Sequence, residues 1–401
     1  MNYQILQGDN RETLKTLADN SIDAIVTDPP YGIDFLGKSW DANTGALETY
    51  QECLRVLKPG GHILAFSAAR TYHHLAVTLE QAGFEIRDQI MWIYSSGFPK
   101  SQDIGRSIQR SLGVEEYEEF VDTTKNSGFG QMDVARTKVG QEWSTKETQV
   151  GKARVTDPEA QKWEGWGTAL KPAHEPIVLA RKPIKLSIAK NCQTHGVGAL
   201  NIDATRVGGD TMIVRHLKKD DGKAFTHHGD GKKNWDSYED VGTVRGRFPS
   251  NVIGEILQAD YQKYFYCPKV SRKERHIGHD DPGAQTRRAR DEEGNVLNYA
   301  EKKPGASANV LVEQFQLSDA GNNHPTVKPI ELMKYLIKLI TPPGGTVLDP
   351  FNGSGSTGCA AVELGHTYIG CELDPAYVEI AKKLIEAWNK QDNTFEDLFE
   401  L

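Results

Sequence analysis

Asp28-Pro29-Pro30-Tyr31 places an acid, a rigid turn and an aromatic ring in four consecutive positions. The residues before it, Asp23-Ala24-Ile25-Val26-Thr27, have the character of a short buried strand, so the Asp28 carboxylate arrives where that strand ends. Two prolines fix φ and remove two backbone N–H donors. Carboxylate, bare carbonyl and ring held stiffly together suit a planar ring that carries an amino group. The first two accept hydrogens from the NH2, and the third offers a face to stack on. Taken alone, the tetrapeptide also reads as an ordinary exit from a strand into a turn.

A second group lies far along the chain. Thr346-Val347-Leu348-Asp349-Pro350-Phe351 reads as a strand ending in an acid, followed by Asn352-Gly353-Ser354-Gly355-Ser356-Thr357-Gly358 and a small-residue helix. Gly353 and Gly355 let the backbone approach a ligand, and the small residues let the helix pack tightly. Glu372 lies 19 positions beyond Gly353 at the end of the next strand, where a carboxylate can bind both ribose hydroxyls. The turn lacks the Gly-Lys-Ser/Thr ending of a P-loop, which argues against a triphosphate. A lone Gly-rich turn is often only a tight connection; with Asp349 and Glu372 beside it, an adenosine-type cofactor is expected. Ligands of open α/β sheets bind outside the carboxyl ends of the strands, so Asp28 and Asp349 can face one crevice. An adenosine-bearing methyl donor beside a planar amine implies methyl transfer.

The elements that must position these groups alternate. Tyr3 to Asp9 reads as a strand, and Asn10 can cap a short helix with Leu14 and Leu17. A helix around Tyr50–Leu57 should stop at Lys58-Pro59-Gly60-Gly61. Strand His62–Phe66, helix Tyr72–Gln81 and strand Glu85–Tyr94 follow. This rhythm predicts a mostly parallel sheet with helices on both faces. The pattern is lost from Ser95 to about Gly167 and returns at Glu175–Arg181, a strand that can pair antiparallel with Gln89–Tyr94. A second irregular region runs from about Leu186 to Asn323; loops this long are usually functional insertions. A helix bearing Ile330, Met333, Ile337 and Ile340 leads into the Asp349 strand, and a helix from Asp374 to about Trp388 closes the chain.

Composition bounds the class. The chain has 401 residues, 38% hydrophobic and 25% charged, as in a soluble globular protein with a lean core. No apolar run approaches the ~18 residues of a membrane span, and no signal peptide is visible, so no membrane partner is expected. Five cysteines lack CxxC spacing, which argues for reduced thiols, a cytoplasmic location and no metal site. His195, His227 and His228 have no acid or cysteine at ligand spacing and read as polar loop residues. The net charge of −8 does not advertise a nucleic-acid binder, although basic residues gather at Arg215/Lys218/Lys219, Lys269/Arg272/Lys273/Arg275 and Arg287/Arg288/Arg290.

With both motifs in hand, the chain resembles the S-adenosylmethionine-dependent DNA amino-methyltransferases, which methylate adenine N6 or cytosine N4. Asp28-Pro29-Pro30-Tyr31 is similar to their catalytic motif and Asp349-Pro350-Phe351-Asn352-Gly353-Ser354-Gly355 to their cofactor motif. His324-Pro325-Thr326-Val327-Lys328-Pro329 resembles the segment before the latter. Catalytic motif first, with a long insertion before the cofactor motif, is the order of the β subgroup; the irregular segments are similar to those of prophage-type members.

The resemblance implies an α/β fold with a seven-stranded, mostly parallel Rossmann-like methyltransferase sheet, helices on both faces and large irregular insertions for target recognition. It implies a catalytic half at 1–95, an insertion at 96–167, a returning strand at 168–185, a target-recognition region at 186–323 and a cofactor half at 324–401. Asp28, Pro29, Pro30 and Tyr31 would be catalytic. Asp9, Asn10, Thr326, Lys328, Asp349, Phe351, Asn352, Gly353, Ser354, Gly355 and Glu372 would hold S-adenosylmethionine. Asp9 would come near the adenine by pairing of the first strand with Tyr368–Glu372, or would simply cap a helix. Thr326 and Lys328 would approach the methionine end, or be an N-cap and a solvated lysine. The partner implied is double-stranded DNA, with no metal and a homodimer left open.

An aspartate at the first motif position usually accompanies adenine, so flipped-out adenine N6 is the expected target and cytosine N4 the alternative. RNA or protein-amide methylation goes with the opposite motif order, and a non-catalytic DNA-binding protein would not need both motifs intact. Trp92, Trp163 and Trp166 can stack on bases, although core packing suits Trp92 and loop anchoring the other two. Arg245 and Arg247 beside Phe248 can read guanine edges or hold phosphates, or can form surface ion pairs.

Overall fold

The computed structural model describes residues 2–33, 43–94, 101–114, 117–122, 149–217, 238–254, 275, 277 and 327–390. Thr326, His227, His228 and most of the basic runs between Lys218 and Arg290 lie outside the described residues. Two units are separable, residues 1–94 with 174–401, and residues 95–173.

The first unit is built on one sheet. Its strands in chain order are β1 (Tyr3–Gln7), β2 (Ile22–Thr27), β3 (Leu57–Phe66), β4 (Glu85–Ile93), β5 (His174–Arg181), β6 (Val252–Gly254), β7 (Thr346–Asp349) and β8 (Thr367–Glu372). The spatial order is β1-β8-β7-β2-β3-β5-β4-β6. Only β5 runs antiparallel to its neighbours, lying between β3 and β4. All seven expected strands are present, and the sheet corrects the count to eight, because the three-residue β6 adds on parallel to Met91–Ile93. Three residues are too few to show a period of two.

The central strands read as apolar runs because both faces are covered. Along β2, Ala24 and Val26 join a core with helices α5 (Ile330–Ile340), α6 (Ser356–Glu363) and α7 (Pro375–Lys390). Ile22 and Ile25 join the opposite core with helices α2 (Leu47–Val56) and α3 (Tyr72–Ala82). Burial of each such Ile or Leu contributes about 1.5–3 kcal/mol. Helix α5 buries Leu332, Leu336 and Leu339 besides the expected Ile330, Met333, Ile337 and Ile340, so it is enclosed on more than one face.

One expected turn is absorbed. Lys58-Pro59-Gly60-Gly61 does not separate helix from strand; it bulges within β3, where Ile22 pairs Leu57 but Ala24 already pairs His62. The bulge is fastened by the Gly60 N–H to Lys182 O and by the Asn191 side-chain amide to Pro59 O, and Gly60 has φ +83°.

Residues 207–217 and 238–247 form an antiparallel hairpin. At its base Arg245 and Phe248 are exposed and Arg247 is half-buried. No described helix is long and apolar enough to cross a membrane.

The second unit has its own small framework. Asp103 caps helix Ile104–Ser111, strands Tyr117–Asp122 and Gln149–Arg154 pair antiparallel, and buried Gln109 accepts from the N–H groups of Thr156 and Asp157. Trp163 and Trp166 are exposed, their rings meeting edge-on at 5.5 Å, so neither is a core residue.

Candidate active site

Both motifs end neighbouring strands. β7 pairs parallel with β2, Val347 opposite Ala24 and Leu348 opposite Ile25, so Asp349 and Asp28 leave the sheet on the same edge. The two halves are bolted together where they emerge. Thr27 Oγ1 donates to Asp349 Oδ1 at 2.6 Å, Thr357 Oγ1 donates to Asp349 Oδ2 at 2.6 Å, and the Phe351 N–H donates to Oδ1 at 3.0 Å. Burial pushes the Asp349 carboxyl up to about 6, against the lowering effect of those donors. With both oxygens engaged internally, Asp349 shapes the turn that follows it.

That turn is built as a cradle. Gly353 and Gly355 adopt φ +52° and +87°, the left-handed region that favours glycine. A Cβ on Gly355 would stand 3.0 Å from the Ala381 Cβ, so this glycine serves close packing of α7. Asn352 is buried, its Oδ1 accepting from Tyr368 OH at 2.7 Å, and it anchors the turn from beneath. Ser354 is buried as well, while Phe351 stays partly exposed and packs near Tyr50. Glu372 accepts the Gly353 N–H at 2.8 Å and the Asp374 N–H at 2.9 Å. Burial raises its carboxyl above the ordinary value, and those N–H groups oppose the rise. A carboxylate has about four acceptor positions, so Glu372 keeps acceptor capacity for a hydroxyl donor. A partly exposed ring, glycine backbone and a carboxylate with acceptor capacity fit an adenosine.

Asp9 follows β1, whose Gln7 pairs Glu372, so it does lie beside the cofactor strand. Its carboxylate caps α1 (Asn10–Thr13) and pairs with Arg11, which holds it below the usual range. The capping contact expected of Asp9 is thus present. Asn10 donates to Pro350 O at 3.0 Å and accepts from Thr49 Oγ1 at 2.8 Å, tying the first strand's exit to the cofactor motif.

The corner at Asp28 holds more than the tetrapeptide. Pro29 is buried, and among the described residues none donates to its carbonyl. Tyr31 OH lies 2.9 Å from Asp28 Oδ1 and 2.7 Å from Glu175 Oε2. Burial, then the charges of Asp28 and Glu175, push the phenol well above its ordinary value. Lys328 corrects the solvated alternative: it is buried, with Nζ 2.6 Å from Asp28 Oδ2, 3.1 Å from Tyr31 OH and 3.5 Å from Glu175 Oε2. Burial disfavours the ammonium, yet Asp28 and Glu175 outweigh it and hold Lys328 above the ordinary lysine value. Trp92 meets Phe66 edge-on at 6.3 Å and Tyr94 at 5.2 Å, walling this corner from the β4 side.

Glu175, Tyr94 and Phe66 were not legible as site residues. The one available signal was Glu175 itself, an acid placed just before the apolar run Ile177–Ala180. Glu175 is the second residue of β5, which runs against β3, so the first residues of β5 come out where β3 ends.

The DNA methylase family model for N6 and N4 enzymes matches residues 22–383. The type II methyltransferase M.HindIII of Haemophilus influenzae is 23% identical over 94% of this chain and 93% of its own length. The DNA adenine methyltransferase YhdJ of Escherichia coli is 40% identical over a shorter stretch, 18% of this chain and 24% of that protein. Among solved structures, an M1.HpyAVI–SAM complex aligns over 95% of this chain and 98% of its own at TM-score 0.38 and 18% identity. The cytosine-N4-specific PvuII DNA methyltransferase aligns over 98% and 88% at TM-score 0.41 and 13% identity. The chain belongs to the N6/N4 DNA methylase family, the S-adenosylmethionine-dependent DNA amino-methyltransferases.

Proposed function

We propose that this protein methylates the exocyclic N6 amine of adenine at a specific sequence in double-stranded DNA, on a base turned out of the helix. The observation that carries the reading is the Asp28–Tyr31 corner: carboxylate, Pro29 carbonyl and ring at the end of a fully buried strand. An amino group conjugated to a base is a poor nucleophile because its lone pair is delocalised. Asp28 and the Pro29 carbonyl accept its two hydrogens, which favours a pyramidal nitrogen with a localised lone pair. Tyr31 stacks on the base. S-adenosylmethionine supplies an electrophilic methyl, and Phe351, the Gly353–Gly355 backbone and Glu372 are the residues that would hold it. Orientation of this kind can supply about 7–11 kcal/mol of barrier lowering.

A target nitrogen inside a duplex is out of reach, so the nucleotide must leave the stack, at a cost of a few kcal/mol. Adenine is favoured by the aspartate at the first motif position and by the similarity to a relative named as an adenine methyltransferase. Site specificity is favoured by the near full-length similarity to a type II methyltransferase. Target reading is assigned to residues 96–167 and 186–323, where Arg245 and Phe248 are exposed. The test is transfer of tritiated methyl to unmethylated genomic DNA followed by nucleoside analysis. N6-methyl-2′-deoxyadenosine as the labelled product supports the reading; label in a methylated deoxycytidine, or none in DNA, overturns it.

A further inference from the structure

The acceptor carboxylate is covered in this structure. The Lys328 ammonium, 7% exposed, lies on Asp28 Oδ2 and stands 5.4 Å from the Tyr31 ring centroid and 5.0 Å from that of Phe66. A nitrogen bearing hydrogens, set against Asp28 and over the stacking ring, occupies the ground that a target amine needs. The ammonium and a target amine cannot fill the same space beside Asp28, so Lys328 must yield when a base arrives. A buried ammonium stripped of its carboxylate is strongly unfavourable. It cannot simply be released.

A second carboxylate is already in reach. Glu175 Oε2 lies 3.5 Å from the same ammonium, is 19% exposed, and is held in place by the Tyr31 hydroxyl at 2.7 Å and by Tyr94. The reading of Asp28, Pro29 and Tyr31 gives Glu175 no contact with the base. We infer that Glu175 is a positioning residue: it receives the Lys328 ammonium when the target amine takes Asp28. Lys328 then caps the acceptor before the base arrives and neutralises Glu175 afterwards. The inference rests on the amine-methylation reading above.

A double-mutant cycle tests it in the full-length protein, with tritiated S-adenosylmethionine and unmethylated genomic DNA. Glu175→Gln keeps the shape and removes the charge, which leaves Lys328 no second seat. Its kcat/KM for DNA should fall by about tenfold or more, mostly through KM. Glu175→Asp, which keeps the charge, should stay within about threefold. Lys328→Met alone leaves two carboxylates facing each other and should also lose activity. Combined with Glu175→Gln, however, it should raise activity about fivefold or more above Glu175→Gln, because nothing then competes for Asp28. A residue that merely supported the fold would give a double variant no better than Glu175→Gln, and that result overturns the inference. So does a Glu175→Gln protein with wild-type kinetics. An inactive wild type instead brings down the underlying methylation reading and the inference with it.

A second measurement does not depend on a variant folding. In 15N-lysine-labelled wild-type protein, the Lys328 Nζ resonance should shift on adding unmethylated DNA and stay protected from exchange. An unchanged resonance, or one that exchanges freely, rejects the handover.

Discussion

Thr27 and Asp349, 322 positions apart in sequence, share a fully buried hydrogen bond of 2.6 Å at the point where their adjacent strands leave the sheet. It joins the last residue of the catalytic strand to the first acid of the cofactor motif. A site assembled from the two ends of a chain needs such a bolt, because a shift of either strand would separate the cradle from the acceptor.

The bolt titrates. Burial holds the Asp349 carboxyl at about 6, above the ordinary 3.8, so between these values the folded protein binds the extra proton. The stabilisation from protonation is complete below about 4 and is lost as pH rises through about 6. Asp349→Asn removes this dependence. The wild-type advantage over Asp349→Asn in denaturant titrations should shrink between pH 4 and pH 7, by on the order of 3 kcal/mol. A difference that is flat with pH would show that Asp349 is not the buried acid described.

Gly370 tests the underside of the cradle. A Cβ there would lie 2.5 Å from Asn352 Oδ1 and 2.9 Å from Tyr368 OH, in the bond that anchors the turn. Gly370→Ala should cost about 1–3 kcal/mol of stability and loosen the turn. Calorimetry should then show weaker S-adenosylmethionine binding, with Tm lowered. Unchanged affinity would separate the Asn352 anchor from cofactor binding.

Tyr31 carries two separable jobs. Tyr31→Phe keeps the ring and deprives Asp28 and Glu175 of a shared donor, which should cost about 1–3 kcal/mol. Tyr31→Ala also removes the stacking face, worth about 1–3 kcal/mol per base. Transfer rates should therefore fall in the order wild type, Phe, Ala, with S-adenosylmethionine affinity unaltered in both. Equal activity of the two variants would mean that the ring does not touch the base.

Much of this site is written locally. The strands before Asp28 and Asp349 are covered on both faces, so they read as continuous apolar runs, and the Gly353–Gly355 turn needs residues that tolerate positive φ. What lies between distant positions is not written that way. Lys328 meets Asp28 across 300 residues and Glu175 meets Tyr31 across 144, and no periodicity encodes which buried charge will find which partner. Lys58-Pro59-Gly60-Gly61 misled for a different reason. Its composition is that of a turn, but Lys182 and Asn191 hold it as a bulge inside β3, and both come from residues beyond the second unit.

The central claim is that Asp28 presents adenine N6 for methylation, and the DNA of cells making this protein tests it most directly. Genomic DNA from a methylation-deficient host expressing the wild-type chain or Asp28→Ala can be sequenced with modified-base detection. N6-methyladenine confined to one sequence context with the wild type, and absent with an Asp28→Ala protein that still binds S-adenosylmethionine, is the predicted result. N4-methylcytosine instead, or adenine methylation persisting at the wild-type level in Asp28→Ala, would contradict it.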